Sequence, residues 1–503
     1  MDWPVVLSDV QGARRLESQS AGDCDCDCAC PSLPTSRPYD DREIQTALRH
    51  PKRLRRAPSL AYRADEAHMI CIGPDHDPVV LNQAAYDLVR RFDDPRTLSR
   101  ALAEVRATWG RTRLRDTLAH AVAVRLLVPI HAPTPPVATT TTLTAWLQLT
   151  NRCNLRCTYC YLPHTSLDMS EATGRAAVDA TISSAQAHNY RRVKFKYAGG
   201  EALIRFPLVA ALHRYAQAQA AERGLDLDGV VLSNGTLLTS ATAETLQRLG
   251  LRLMISLDGI GDYHDAQRPY IGGQGSFQQV ARSLAVARSA GLRPEVSITV
   301  TKHSATGLAE VIAWLLAEDF PFRINFYRQH EHVATDTGLH LDEQRIIDSV
   351  LRAYRVIEVN LPRRSLLASL VDLGNLSMAR RRPCSVGEGY LVFDHAGGVA
   401  PCQMHMDATV SSTSADDPLA DIRHAQSMLQ NPDIDEKEEC RGCSWRHWCA
   451  GGCPLAAFRA SGRYDARSPN CAIYQAIYPA AVRLEGLRLL KYAANQYGET
   501  APY

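Results

Sequence analysis

The 503-residue chain lacks an excess of either charge: 56 lysines and arginines stand against 54 aspartates and glutamates. That balance excludes the basic footprint of a nucleic-acid binder or of any polyanion partner. It also lacks a run of 18 consecutive apolar residues, so no membrane-spanning helix and no membrane partner are expected. The opening MDWPVVLSDVQGARR has no basic start leading into a long apolar stretch, so it does not read as a secretory signal and a cytoplasmic protein is expected. The length is too great for one core, which predicts two to four domains.

Cysteine, in contrast, is plentiful, with 15 in the chain. In a reducing compartment, clustered cysteines are metal ligands more often than disulfides. Four sit at Cys24, Cys26, Cys28 and Cys30, alternating with acidic residues, so an extended chain would align their thiols on one face. Such a segment reads as a metal-scavenging tail, a ligand donor or a substrate-like stretch. Cys71 stands alone and reads as a small buried apolar residue. Cys153, Cys157 and Cys160 follow a C-x3-C-x2-C spacing, and seven more lie between Cys384 and Cys471. Three thiolates can hold three irons of a [4Fe–4S] cubane that normally takes four. One iron is then open to a substrate or cofactor. The spacing is a poor one for zinc, which would want a fourth ligand close by.

Strand and helix patterns alternate around this trio. Strands are expected at 145–149, 193–197, 229–232, 253–256, 295–300 and 323–326, with helices at 170–186, 207–223, 239–249, 277–290 and 306–318. Six β/α units imply a parallel sheet with helices outside. Short polar or glycine-rich motifs fall just after the strands, where such folds place their chemistry. These are Gly199-Gly200-Glu201, Ser233-Asn234-Gly235-Thr236 and Ser256-Leu257-Asp258-Gly259.

The trio and these loops resemble the radical S-adenosylmethionine (SAM) family. The resemblance implies an α/β fold, a partial (β/α)6 barrel, in which the open iron chelates SAM and one electron cleaves it to methionine and a 5′-deoxyadenosyl radical. It further implies that Gly199, Gly200 and Glu201 bind the SAM amino group and that Ser233 and Asn234 lie near the ribose. Ser256 and Arg268 would meet the carboxylate, a task suited to a bidentate guanidinium. Tyr159 would shield the cluster near adenine. Asp258 is the candidate for proton transfer, with backbone hydrogen bonding as its alternative role. Tyr270 and Tyr327 are possible cavity residues.

The C-terminal seven follow Cys384-x12-Gly397-x4-Cys402, then Cys440-x2-Cys443-x5-Cys449-x3-Cys453, then Cys471. This resembles the SPASM extension. By that resemblance two auxiliary [4Fe–4S] clusters are implied, an outer one on Cys440, Cys443, Cys449 and Cys471 and an inner one on Cys384, Cys402 and Cys453. Residues 385–401 contain no cysteine, so the inner cluster would keep an open iron for a substrate thiolate or for one of Cys24–Cys30. Two zinc sites are the alternative.

Residues 58–130 read as a strand region at 60–72, then helices at 83–92, from Thr97, and at 112–127. This order resembles PqqD-like winged-helix α+β modules, the RiPP recognition elements, where a leader peptide adds as a strand to a sheet edge. A structural cap is the alternative. The expected division is a cysteine-containing flexible segment at 1–50, the recognition domain at 51–132, a linker at 133–144, the core at 145–345, a connecting helical segment at 346–380, the SPASM domain at 381–480, and a C-terminal helix and tail at 481–503. The expected function is a maturase that installs an intramolecular cross-link, a thioether by preference, in a ribosomally made peptide. Its partners would be a precursor peptide and a reductant such as flavodoxin or ferredoxin. Rivals are a formylglycine-forming anaerobic sulfatase maturase, a quinohemoprotein amine dehydrogenase-type thioether maturase and a non-enzymatic iron–sulfur scaffold.

Overall fold

The computed structural model describes residues 5–8, 40–49, 52–74, 76–105, 110–132, 140–330, 339, 342–425 and 429–492. Cys24–Cys30 and residues 133–139 lie outside them. Seven strands belong to the N-terminal region: β1 (Val6–Leu7), β2 (Arg53–Arg56), β3 (Leu60–Arg63), β4 (His68–Gly73), β5 (His76–Asn82), β6 (Arg96–Thr97) and β7 (Leu127–Pro129). They form two antiparallel sheets, ordered β1-β5-β4-β3 and β6-β2-β7. Helices Gln83–Arg90, Leu98–Glu104 and Arg111–Ala123 complete this region. The Asn82 and Thr97 side chains cap the first two, as the sequence suggests for Thr97.

The expectation of a flexible 1–50 needs correction within its described parts. Residues 5–8 carry β1, and residues 40–49 carry the helix Asp41–Leu48, whose Asp40 and Glu43 form a capping box. The N-terminal module has a core of its own, and its larger sheet also closes the main core. Alternate residues of the larger sheet serve two cores. Val6, Cys71, Val79 and Leu81 pack with the local helices, while Leu7, Ile70, Ile72 and Val80 join the main core of the molecule. Cys71 is buried as expected, and burial pushes its thiol up to about 12.

The partner on the second face is a long C-terminal helix. It runs from Cys471 to Tyr492 with Pro479 inside, so it starts ten residues before the expected 481. It packs on the helix Glu343–Val359 and on β3, β4 and β5 rather than on the barrel alone. Gly486 permits this approach, since a Cβ there would lie 2.8 Å from Ala64 Cβ.

The core sheet continues with β8 (Thr142–Gln148), β9 (Arg192–Ala198), β10 (Asp226–Ser233), β11 (Arg252–Ser256), β12 (Glu295–Val300) and β13 (Phe322–Phe326). All six are parallel and in sequence order. β8 begins at Thr142, inside the span expected to be linker. Its residues are all buried, as in a strand covered on both faces. The sheet does not stop at six. Tyr390–Phe393, all buried, adds to β8 as the parallel strand β14, and β15 (Gly398–Ala400) and β16 (Ser411–Ser412) follow antiparallel. The cysteine-rich region is therefore continuous with the barrel.

Inward-facing residues of the parallel strands form layers. Register aligns Tyr390, Thr144, Lys194 and Asp228 in one, and Val392, Trp146, Lys196 and Val230 in the next. Lys194 lies 3.8 Å from Asp228, which also pairs with Arg252. The layer above adds a second buried lysine, Lys196, 6.0 Å from the centre of the Tyr390 ring, among apolar neighbours. Trp146, Val230, Leu232 and Met254 share one cluster with Cys384, Cys402, Tyr390 and Leu455 of the C-terminal region.

Candidate active site

The loop after β8 carries Cys153, Cys157 and Cys160, all free thiols. Two neighbouring loops hold its shape. Arg156 N donates to Pro269 O at 2.8 Å, Thr158 N to Gln267 O at 2.9 Å and Ile271 N to Asn154 O at 3.2 Å. Leu155 and Tyr270 form a bridge in the same strip. On the other side Gly200 N donates to Thr150 O at 2.8 Å and Glu201 N to Arg152 O at 2.9 Å.

The glycines serve this second contact. A Cβ on Gly200 would stand 2.4 Å from Arg152 O and 2.9 Å from Cys153 Cβ, and one on Gly199 would stand 2.6 Å from Thr150 O. The close approach they allow is thus made by the cysteine loop itself. Glu201 is likewise engaged by protein. One of its oxygens accepts from Leu203 N at 2.9 Å and Ser233 Oγ at 2.7 Å, and the other accepts from Asn234 N at 2.7 Å. It is buried, and burial raises its carboxyl against the opposing pull of these donors. The expected acceptor for a ligand amine is therefore a tie between the loops after β9 and β10.

Asn234 extends the tie. Its Nδ2 donates to Asn154 Oδ1 at 3.0 Å, while Asn154 Nδ2 donates to Thr236 Oγ1 at 2.8 Å. Ser233 and Asn234 thereby steady the cysteine loop. Ser256 ends β11 beside Ser297 of β12.

The opposite wall is a buried polar triad. The Tyr159 hydroxyl donates to Asp258 Oδ2 at 2.6 Å and accepts from Arg268 Nη1. Arg268 stands 3.6 Å from Asp258, whose other oxygen accepts from Thr299 N at 2.8 Å. Asp258 is fully buried, and burial raises its carboxyl although Arg268 and Tyr159 oppose the shift. This gives Asp258 a positioning role toward Arg268 and Tyr159, together with the loop-backbone contact weighed as its alternative. Burial works against the Arg268 charge, but Cys157, Tyr159 and Asp258 outweigh it and hold the guanidinium protonated.

Two donors here have no partner. Arg268 Nε and Gln267 Nε2 are both buried and unmatched. A buried donor without an acceptor is costly, and a bound carboxylate would satisfy it. Gln267 was not singled out from sequence; only its place beside Arg268 in the stretch His264–Pro269 pointed to it. His264 was also missed as a support. Its Nδ1 accepts from Asp258 N at 3.2 Å and its Nε2 meets Ser276 Oγ at 3.0 Å. Tyr270 lies in the bridge, and Tyr327 follows β13 with its N–H on Val300 O.

The thiols fit a cubane. Burial raises Cys153 to about 11 and Cys160 to about 12, with mutual repulsion adding to it. Bound metal reverses that penalty, because a coordinating thiol is deprotonated. Among the described residues no three His, Cys, Asp or Glu side chains converge on one ion.

The C-terminal thiols sort into two neighbourhoods. Cys440 and Cys471 each feel Cys443, and Cys449 feels Cys471. Cys402, pushed by burial to about 12, feels Cys453, and Cys384 and Cys402 line the barrel interior. Lys437, fully buried, lies between the neighbourhoods and feels Cys440, Cys449, Cys384 and Cys453.

Residues 147–307 match the family model described as the Radical SAM superfamily. An uncharacterised protein of Methanocaldococcus jannaschii is 27% identical over 172 residues, covering 34% of this chain and 57% of that protein, so the chain spans little more than half of that relative. An AdoMet-dependent heme synthase of Oleidesulfovibrio alaskensis is 25% identical over 373 residues, covering 68% of this chain and 89% of that one. A solved structure of native anSMEcpe with bound AdoMet and the Cp18Cys peptide shares the fold, with a TM-score of 0.58 at 18% identity over 71% of this chain and 99% of that one. No helix among the described residues is long and apolar enough to cross a membrane. The barrel therefore carries a radical SAM domain over residues 147–307.

Proposed function

We propose that the protein is a radical SAM/SPASM maturase that cross-links a ribosomally made peptide, with a thioether as the favoured bond. The observation that carries this reading is the position of Cys384 and Cys402. They share one enclosed apolar cluster with Trp146, Val230 and Met254 from the barrel strands. Metal-site thiols therefore border the chamber where a substrate would lie.

When bound, the cofactor set supplies reductive cleavage of SAM and an electron route away from the substrate, which is the chemistry a side chain cannot provide. Cys153, Cys157 and Cys160 would hold the first [4Fe–4S] cluster. Cys440, Cys443, Cys449 and Cys471 would hold an outer auxiliary cluster, and Cys384, Cys402 and Cys453 an inner one with an iron left for a substrate thiolate. Arg268 and Gln267 offer their buried donors to the SAM carboxylate. Tyr159 and Asp258 fix the guanidinium in place, and the buried cluster of Trp146, Val230 and Met254 keeps water from the lumen.

The N-terminal strands and three helices favour a peptide over the tetrapyrrole suggested by the heme synthase relative, since the sheet offers an edge for β-augmentation. This region acts as a PqqD-like leader-binding module. A cytoplasmic location and a flavodoxin or ferredoxin reductant complete the reading. The test is anaerobic reconstitution with dithionite, SAM and a leader-bearing, cysteine-containing peptide. The expected result is 5′-deoxyadenosine together with loss of two hydrogens from the peptide and of one free thiol. Formation of 5′-deoxyadenosine with peptides left unmodified and an iron porphyrin precursor consumed would overturn it.

A further inference from the structure

The edge of β5, where an added strand would pair, already holds one. β1 pairs antiparallel with it, Val6 opposite Leu81 and Leu7 opposite Val80. Val5 N donates to Asn82 Oδ1 at 3.0 Å, Asn82 N donates to Val5 O at 3.3 Å, and Ser8 Oγ meets His120 Nε2 at 3.3 Å. His120 belongs to the helix Arg111–Ala123, so β5 and that helix form the two walls of a groove. Val6 and Leu7 are 5% and 7% exposed, one entering each of the two cores.

This geometry also suits a docked peptide. Only two residues pair, and they are far in sequence from their partner strand. Alternate side chains give the fit while backbone bonds give the grip, as in strand addition. Two buried aliphatic side chains gain about as much as ordering a four-residue segment costs. Such a strand is held near balance and can exchange. The opposite edge strand, β3, carries Tyr62 stacked on Trp445 of the cysteine region at 5.5 Å.

We propose that the β5 edge is a peptide-docking groove and that residues 5–8 are its resident strand, displaced when a partner peptide docks. The occupant is an extended peptide with two successive aliphatic residues, one for each core, followed by a hydroxyl residue within reach of His120. The biological use of the groove rests on the peptide-substrate reading above, and residues 5–8 set a threshold that an incoming leader must exceed.

The test uses a fluorescent peptide of residues 1–12 and its anisotropy with three proteins: the full chain, the chain lacking residues 1–12, and the full chain with Val6→Asp and Leu7→Asp. A strand held near balance leaves the groove open about half the time, so each altered chain should bind the peptide at least about twofold more tightly than the full chain. Equal binding by the full chain, or no binding by an altered chain that still cleaves SAM, would overturn the proposal. If both altered chains fail to fold, residues 5–8 are a permanent part of the core and the proposal is equally overturned. Binding here needs no turnover. A chain that binds this peptide yet modifies no peptide would sink the proposed function and leave the groove standing, and a chain that modifies peptides without binding this one would do the reverse.

Discussion

Cys153, Cys157 and Cys160 lie within a single loop, whereas the other seven ligating candidates are gathered from residues 384 to 471. The first group needs little from the fold to bring its thiols together. What it needs is shape, and neighbouring loops supply it through Gly200, Pro269 and Gln267. The second group depends on the fold for its convergence. Cys384 precedes β14, Cys402 follows β15, and Cys471 opens the C-terminal helix. Buried Lys437 lies among them, and Trp445 meets Tyr478 edge-to-face while Tyr478 stacks on Tyr474. A local motif thus reports what the chemistry starts with, and a dispersed one reports how the rest of the chain is folded around it.

The largest expected effect separates the two groups. Cys157→Ala should reduce 5′-deoxyadenosine release to background, because it removes a ligand of the proposed SAM-binding cluster. Cys440→Ala should retain SAM cleavage while peptide modification is lost. Iron per chain and 5′-deoxyadenosine, measured together after anaerobic reconstitution, decide this. Equal loss of cleavage in both variants would mean that the two regions act as one unit.

Next in size is Arg268→Met. Asp258 is fully buried, and Arg268 is its cationic neighbour at 3.6 Å. Removing one member of a buried pair costs about 3–5 kcal/mol. Denaturant unfolding should show that loss in the barrel, and SAM binding should fall with it. Arg268→Lys should restore part of the stability but not the affinity, since lysine lacks the fork that meets a carboxylate. Unchanged stability in the methionine variant would remove the triad from the account.

A pH effect follows from His264. Burial, with Arg268 adding to it, lowers its pKa to about 3. The unfolded chain binds this proton near pH 6.5, so between 6.5 and 3 the unfolded state holds more protons than the folded one. Stability is therefore full above 6.5 and falls as the pH drops, by up to about 1.4 kcal/mol per unit. The loss of Tm from pH 7 to pH 5 should be smaller in His264→Gln than in the parent protein. An equal slope would place the acid-sensitive group elsewhere, for example at His213, whose pKa burial lowers to about 4.

The six parallel strands were legible because each is a short apolar run followed by a polar or glycine-rich loop, and helix starts at Ser170 and Thr239 were marked by caps. β1, β2, β6, β7 and β14 were not. β1 and β6 are too short to carry a period, and β2 is arginine-rich with half-exposed positions. Tyr390–Phe393 is apolar throughout, but nothing local says that it pairs with β8, about 250 residues earlier. The same limit governed the site. The cysteines stood out by their spacing, while Arg268 and Asp258 were named through the resemblance to the radical SAM family. That Glu201 ties two loops, and that Gln267 has an unmatched donor, depends on which loops the fold brings together.

The smallest effect compares two tyrosines, one beside each cysteine region. Tyr159 gives its hydroxyl to Asp258 and receives Arg268. In Tyr159→Phe the ring remains and Arg268 still faces Asp258, but two buried hydrogen bonds disappear, the one given to Asp258 and the one received from Arg268. Each is worth about 0.5–1.5 kcal/mol net, so together they amount to roughly a fivefold to hundredfold loss of SAM affinity. Tyr62, in contrast, meets the C-terminal region through its ring, stacked on Trp445 with planes 10° apart. Tyr62→Phe keeps that contact and should leave stability unchanged, while Tyr62→Ala should lose about 0.5–1.5 kcal/mol of aromatic pairing beyond the area it uncovers. A SAM titration of the first variant and thermal unfolding of the other two would show whether hydroxyl and ring divide their roles in this way. If Tyr62→Phe alone altered the spectrum of the proposed outer cluster, its hydroxyl would be acting on the Cys443 side, and the contrast between a polar barrel wall and an apolar C-terminal seam would have to be redrawn.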